Sequence, residues 1–373
     1  MVKIPLILEL AQTTEKRLNF IDAVRAWAII MMLQGHFIDG LLSPVYKDKE
    51  ALWYAIWTYF RGITAPVFFT ASGLIFTYLL FKRSDSAYVE RRVLKGLKRG
   101  IELLILGYLL RLNVPGFLNG HLYPSFFYVD VLHCIGIAIL TLILLYKLLG
   151  RWFFNGFAWV LFLLATLIFS FEPAFKRIDW SGYPLFFSHY FSRENGSLFT
   201  VIPWVGYSLY GAFLAMILVR QSHKKWCYPI TIVALILMGV VLKYYSSSFL
   251  IFLNDRFGWE VLKEVAYNNY LFIRLGDVFW VLAVFILGRK LFHQNYFLAI
   301  GQNTLSIYVI HSIILYGSFH GFGLYRFFKH SLDISEALFG ATLFIIACVA
   351  LSFAYVNRKG LVKDYISRIF QKK

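Results

Sequence analysis

The chain has 373 residues, of which 59% are hydrophobic, 19% aromatic and only 15% charged. A soluble domain is about half apolar and about a quarter charged. Here the apolar excess falls in long runs, which excludes a soluble globular protein and marks a polytopic membrane protein. The net charge of +17 is not a nucleic-acid signature, because the surplus Lys and Arg lie mostly in short loops between the runs, where they act as topology signals. The same basic face suits anionic lipid or a phosphorylated ligand. The three cysteines, Cys134, Cys227 and Cys348, are widely spaced and form no CxxC, zinc or disulfide framework, so they leave the redox compartment open.

Residues 1–19 mix charged and apolar residues without a small-residue cleavage site, and are expected to be a retained cytoplasmic segment rather than a signal peptide. Ten spans follow: 20–42, 62–81, 98–113, 128–147, 152–171, 200–219, 227–246, 269–288, 297–318 and 336–355. Residues 51–61, ALWYAIWTYFR, are too short to span and are expected to form an interfacial helix leading into the second span. No soluble domain, low-complexity linker or internal repeat interrupts the series. The expected fold is therefore all-α, a bundle of about ten transmembrane helices over 20–355, followed by a basic cytoplasmic tail over 356–373. Placing both termini in the cytoplasm puts most Lys and Arg on the inner side, including Lys3, Lys16 and Arg17, the 82–99 cluster and the residues from Arg358 onward. The triplet Asn195-Gly196-Ser197 then lies in an outer loop, where it is an acceptor only in a glycosylating compartment.

The first span, FIDAVRAWAIIMMLQGHFIDG, carries four ionisable groups. Residues 22, 25, 29, 32, 36 and 39 are spaced by three and four, so Asp22, Arg25, His36 and Asp39 share one helix face, with Ile29 and Met32 in its middle. Asp22 and His36 are ~21 Å apart along the helix, which gives a cytoplasmic pair, an apolar gap and a deeper pair. Asp22 and Arg25 could simply cap and neutralise each other, and His36 could be a satisfied packing histidine. Other spans add Arg61 at the start of the second, Asp130 and His133 on one face of the fourth, Arg274 and Asp277 in the eighth, and Asn303, Tyr308 and His311 in the ninth. Arg274 and Asp277 are expected to neutralise each other. In this topology His36, Asp39, Arg61, Asp130, His133 and His311 lie towards the outer side, while Glu102, Arg25 and Asn303 lie nearer the cytoplasm. Ionisable groups in a membrane seldom face lipid, so a polar core through the bundle is the economical reading.

Histidines paired with carboxylates suit deprotonation of a hydroxyl or amine, or nucleophilic catalysis. No two histidines have i, i+4 spacing, and no metal is expected. The chain lacks a G-x-S-x-G elbow, a P-loop and a dinucleotide fingerprint. Between the second and third spans, Arg92, Lys95 and Arg99 fall at i, i+3 and i+7 and share a helix face, which suits either the positive-inside rule or a phosphate-binding surface for a large anionic cofactor.

At this point a family resemblance emerges. IDAVRAWAIIMMLQGHF resembles the first-helix signature of the transmembrane acyltransferases of the acyltransferase-3 type: Asp22, Arg25 and His36 match its aspartate, arginine and histidine in spacing, with Ala26 where glycine is usual. FRGITAPVFFTASGLIFTYLL resembles the second span of that family. YVDVLHCIGIAIL and IGQNTLSIYVIHSIIL look most like the bacterial branch related to heparan-alpha-glucosaminide N-acetyltransferase. The resemblance implies about ten helices in a bacterial cytoplasmic (inner) membrane. It implies transfer of an acyl group, usually acetyl, from cytosolic acyl-CoA to a hydroxyl or amine of a carbohydrate or glycolipid beyond the membrane, with His36 as the catalytic histidine. The family's arginine-x-x-arginine motif has its nearest match in Arg92-Val-Leu-Lys95.

On this reading acetyl-CoA is the co-substrate. Its phosphates rest against Arg92, Lys95 and Arg99 near Asp22, Arg25 and Asn303, and its pantetheine arm follows the apolar gap past Ile29 and Met32. The thioester arrives at His36, which Asp39 orients and which serves as general base or transient acyl carrier. Arg61 and His133 hold the acceptor or the developing oxyanion, and Asp130 and His311 bind the acceptor. The rival readings are a proton-coupled transporter or a lipid or glycan flippase, which use the same intramembrane residue types, and a non-catalytic scaffold. Membrane lipid and a carbohydrate acceptor are the expected partners. The acceptor's identity, O- against N-acylation, chain length and oligomeric state, with a homodimer among the options, are left open.

Overall fold

The computed structural model describes residues 18–83, 85–194, 196–221, 224–292 and 296–371, and of residues 359–371 it gives the backbone alone. Most of the expected N-terminal segment, the side chains of the expected tail beyond Arg358, and Asn195 lie outside that description.

Among the described residues the regular elements are helices, joined by two isolated backbone bridges. The principal helices are α1 (Asn19–Leu41), α2 (Leu52–Phe81), α3 (Ser86–Arg111), α4 (Val131–Leu145), α5 (Phe154–Ser170) and α6 (Val201–Gln221). They are followed by α7 (Cys227–Phe257), α8 (Tyr270–Leu287), α9 (Tyr296–Gln302), α10 (Thr304–Tyr316) and α11 (Ile334–Gln371). Seven are long and apolar enough to cross a membrane, α4 when taken with its flanking turns over Pro124–Gly150, and an eighth crossing results if α9 and α10, bent by 74°, form one broken span. The two other expected spans fall on α3, whose opening turns are basic, and on α5, which has 17 residues.

Residues 51–61 do not form a separate interfacial helix. They are the first turns of α2, which runs unbroken for 30 residues. Pro66 lies inside it, and the Thr70 hydroxyl donates to the Pro66 carbonyl at 2.9 Å. The ninth span is likewise not the continuous helix expected. It breaks at Asn303, whose amide folds back onto the carbonyl of Ala299 at 2.9 Å.

α3 and α11 start where the sequence offers caps. Asp85 accepts from the backbone N–H groups of Ala87 and Tyr88 at the start of α3, and Asp333 and Glu336 form a reciprocal cap before α11. The centre of the bundle is the α2–α6 pair, which approaches at glycine. A Cβ at Gly73 would overlap the Ser208 carbonyl, and one at Gly211 would overlap that of Thr70. The Ser208 hydroxyl donates across this contact to the Phe69 carbonyl at 3.1 Å, so small residues bring the backbones together.

The expected Arg274–Asp277 pair is present but is part of a larger cluster. Asp277, 1% exposed, accepts from Arg274 at 3.2 Å, from Lys243 at 2.7 Å and from the Tyr59 hydroxyl at 2.6 Å. Lys243 reaches it from a π turn within α7. Gly62 leaves room for the guanidinium, because a Cβ there would lie 2.9 Å from Arg274 Nη2.

At one end of the bundle the connection 317–333 is tied to two others. Val114 N–H donates to the Phe319 carbonyl at 2.9 Å, while Ser43 and Leu332 exchange bonds with Leu332 and Leu41 at 2.9 and 3.0 Å. This strap joins the α1–α2 and α3–α4 connections. Lys47, whose ammonium burial pushes down, donates to the Asp39 carbonyl at 2.7 Å beside His330.

Candidate active site

Helix ends converge beneath the strap. α1 brings His36 from its last turns, α2 brings Arg61 from its first half, α3 ends on Arg111, α4 begins after Asp130, and α10 brings His311 and Tyr316. These residues, with Met32, Thr64, Tyr308, Ser312 and Ser318, line one cavity of about 440 Å³.

The His36 ring stacks on His311 with centroids 5.5 Å apart and planes at 23°. The Tyr316 hydroxyl lies 2.9 Å from His36 Nδ1, and its ring meets both imidazoles edge-on. His311 is 1% exposed, and its Nδ1 is hydrogen-bonded to the Tyr308 carbonyl within the same helix. Arg61 pairs with Asp39 and lies 5.7 Å over the Trp57 ring. Asp39 therefore does not orient His36 as expected. Both residues sit on the predicted face of α1, but the carboxylate reaches sideways to the cation on α2, and Tyr316 takes the histidine.

Asp130 lines the cavity and caps α4, accepting from Leu132 N–H at 3.0 Å. Its other oxygen lies 3.6 Å from Arg111 Nε, a buried nitrogen with no hydrogen-bond partner among the described residues. His133 is not brought into the cavity. It is fully buried behind Asp130, with Nδ1 3.0 Å from Asp130 Oδ1, in the third position of the helix cap and edge-on to Tyr108. The i, i+3 spacing that suggested a shared catalytic face here makes a cap. Outside the membrane-crossing helices, burial and the Arg111 guanidinium hold His189 below the ordinary histidine range.

The other end of α1 carries the second half of the stripe. Asp22, 3% exposed, lies 3.6 Å from Arg25 and 3.5 Å from Gln302 Nε2, and Arg25 donates to Thr304 Oγ1 at 2.7 Å. The pair thus grips the break between α9 and α10. Asn303 sits in that break, but its side chain binds its own helix. Between the two ends, Met32 lines the cavity, whereas Ile29 is fully buried in the core. The expected apolar passage past both residues is not an open groove along α1.

The basic face of α3 does not converge on the cavity. Arg92 donates to the Leu79 carbonyl at 3.3 Å, Lys95 is exposed, and Arg99 pairs with Glu102 at 3.0 Å. Arg99 and Arg111 are ~18 Å apart along the helix. A long ligand could bridge these places; a small one could not. Among the described residues no group of three or more His, Cys, Asp or Glu comes together as a metal site.

Arg111 and Tyr316 are cavity residues that the sequence reading did not single out. Arg111 ends an apolar run and looks like one more topology charge. Tyr316 lies five residues after His311, roughly 140° away round an α-helix, but residues Ser312–Tyr316 form a π turn that brings it to the histidine side.

Comparison with known proteins gives one family. The catalytic-domain model described as heparan-alpha-glucosaminide N-acetyltransferase matches residues 17–252, well over half of the chain. No curated protein matches the sequence.

Proposed function

The chain belongs to the heparan-alpha-glucosaminide N-acetyltransferase catalytic family and is an integral membrane acetyltransferase; from that premise we propose that acetyl-CoA is the donor and the amine or hydroxyl of a carbohydrate or glycolipid the acceptor. The family's name supports an amino sugar as the acceptor class. The observation that carries the reading is the cavity itself, which gathers two imidazoles, two guanidiniums and a carboxylate among helices otherwise apolar. Ionisable groups concentrated in this way inside a membrane protein mark function.

The cavity volume suits the reacting ends of two substrates rather than a whole nucleotide cofactor. We assign the phosphates of acetyl-CoA to the basic face of Arg92, Lys95 and Arg99, with Asp22, Arg25 and Asn303 shaping the same cytoplasmic end. The thioester meets His36, which acts as base or transient acyl carrier while the Tyr316 hydroxyl fixes its ring. Arg111 and Arg61 are the cations available to a carbonyl oxygen that gains negative charge as the acceptor attacks. Asp130 and His311 face the acceptor. Ten crossings of a bacterial cytoplasmic membrane, with both termini inside, complete the proposal: α3 and α5 supply the two beyond the seven long apolar helices and the broken α9–α10 pair.

A second reading, a transporter or flippase, draws on the 74° break between α9 and α10, since interrupted helices often bind transported solutes. One experiment separates the two. Purified protein should gain thermal stability from acetyl-CoA and release CoA when an amino sugar is added. His36→Ala should lower that release about a hundredfold or more while keeping its melting temperature. Wild-type protein that acetyl-CoA neither stabilises nor acylates would favour the transporter, and full activity in His36→Ala would remove this histidine from the chemistry.

A further inference from the structure

We infer that His311 is the catalytic base for the acceptor, taking its proton on Nε2. The inference rests on the acetyl-transfer reading of the same cavity, and His311 itself lies beyond residues 17–252, which the family model matches.

The two stacked imidazoles differ in their partners. His311 Nδ1 is bonded to the Tyr308 main-chain carbonyl. A carbonyl oxygen only accepts, and the Ser312 hydroxyl, 3.5 Å from the same nitrogen, already donates its hydrogen to that carbonyl, so Nδ1 carries the hydrogen. A neutral imidazole has one N–H, which leaves the lone pair on Nε2. The fold therefore sets the tautomer of His311 as that of a base. His36 is not fixed in this way, because its partner is the Tyr316 hydroxyl, which can donate or accept. Position agrees with chemistry. His311 is buried to 1% exposure yet lines the cavity, together with Asp130 and Ser312. His133 provides the contrast: it is as deeply buried and paired with a carboxylate, but does not reach the cavity.

The labour is then divided. His36 meets the thioester and His311 meets the acceptor. As the acceptor nitrogen or oxygen bonds to the acyl carbon, its proton passes to His311 Nε2. The bond from that carbon to its leaving group then breaks, and the departing group takes the proton, returning His311 to the neutral form.

The decisive variant is His311→Asn, whose amide N–H can keep the bond to the Tyr308 carbonyl while the Nε2 base is lost. His311→Gln serves as a second variant. The probes are acetyl-CoA, with glucosamine as an acceptor whose ordinary amine needs a base to take its proton and hydroxylamine as one whose far less basic nitrogen, once bonded to the acyl carbon, yields its proton to water. We expect His311→Asn to keep its melting temperature and its stabilisation by acetyl-CoA. We expect CoA release with glucosamine to fall about a hundredfold or more, and release with hydroxylamine to stay within about fivefold of wild type. Equal loss with both acceptors, activity with glucosamine near wild type, or loss of the fold in both variants would each overturn the inference. Wild-type protein inactive with either acceptor and unaffected by acetyl-CoA would instead sink the acetyl-transfer reading beneath it.

Discussion

Asp39 and His133 show what side-chain spacing can and cannot reveal. Helical period correctly places Asp22, Arg25, His36 and Asp39 on one face of α1, because that follows from backbone geometry alone. It does not choose partners across helices, so Asp39 went to Arg61 and His36 to Tyr316. His133 was legible as a histidine beside a carboxylate but not as the third residue of a cap. The cap makes a stability prediction. His133→Ala should destabilise the fold by about 3 kcal/mol, the scale of removing one partner from a buried polar pair, visible as a lower melting temperature. Activity measured well below that temperature should survive, and a hundredfold loss there would return His133 to the chemistry.

Among elements, the broken α9–α10 pair was the least legible. A continuous apolar run from 297 to 318 reads as one span, and the backbone approach that interrupts it depends on Gly301 meeting α1. A Cβ there would overlap the Asp22 carbonyl. That contact sets Thr304 against Arg25, so the Asp22–Arg25 end of the stripe is built on a glycine. Gly301→Val should push α9 from α1 at a cost of about 1–3 kcal/mol. It should weaken stabilisation by acetyl-CoA more than it lowers the melting temperature of the free protein. An unchanged acetyl-CoA response would separate the break from donor binding. By contrast, the unbroken α2 could have been anticipated: residues 51–61 flow into the second span without a Gly-Pro or Asx stop, and only the assumption of a membrane boundary divided them.

For the whole molecule, an all-helical membrane bundle could be read from composition and run length, because those register the solvent. The arrangement of the runs could not, since lipid-facing and buried helices are alike in apolarity. The α7–α8–α2 contact illustrates this. Arg274 and Asp277 look self-sufficient in sequence, yet Lys243, 34 residues away, shares the carboxylate. Asp277→Asn leaves two cations facing each other among apolar helices and should cost about 3 kcal/mol or more. Pairing it with Lys243→Met should recover part of that loss in melting temperature, and no recovery would mean that the two residues are uncoupled. The strap over the cavity has a different character. Its ties at Val114, Ser43 and Leu332 run through main-chain groups, which bond alike whatever side chain they carry. At these ties closure is therefore indifferent to the side chains carried, whereas Gly317 and Gly323 sit where a Cβ would overlap backbone, so a residue such as Ser318, which lines the cavity, is free to diverge between relatives. Acceptor preference can evolve there without rebuilding the bundle.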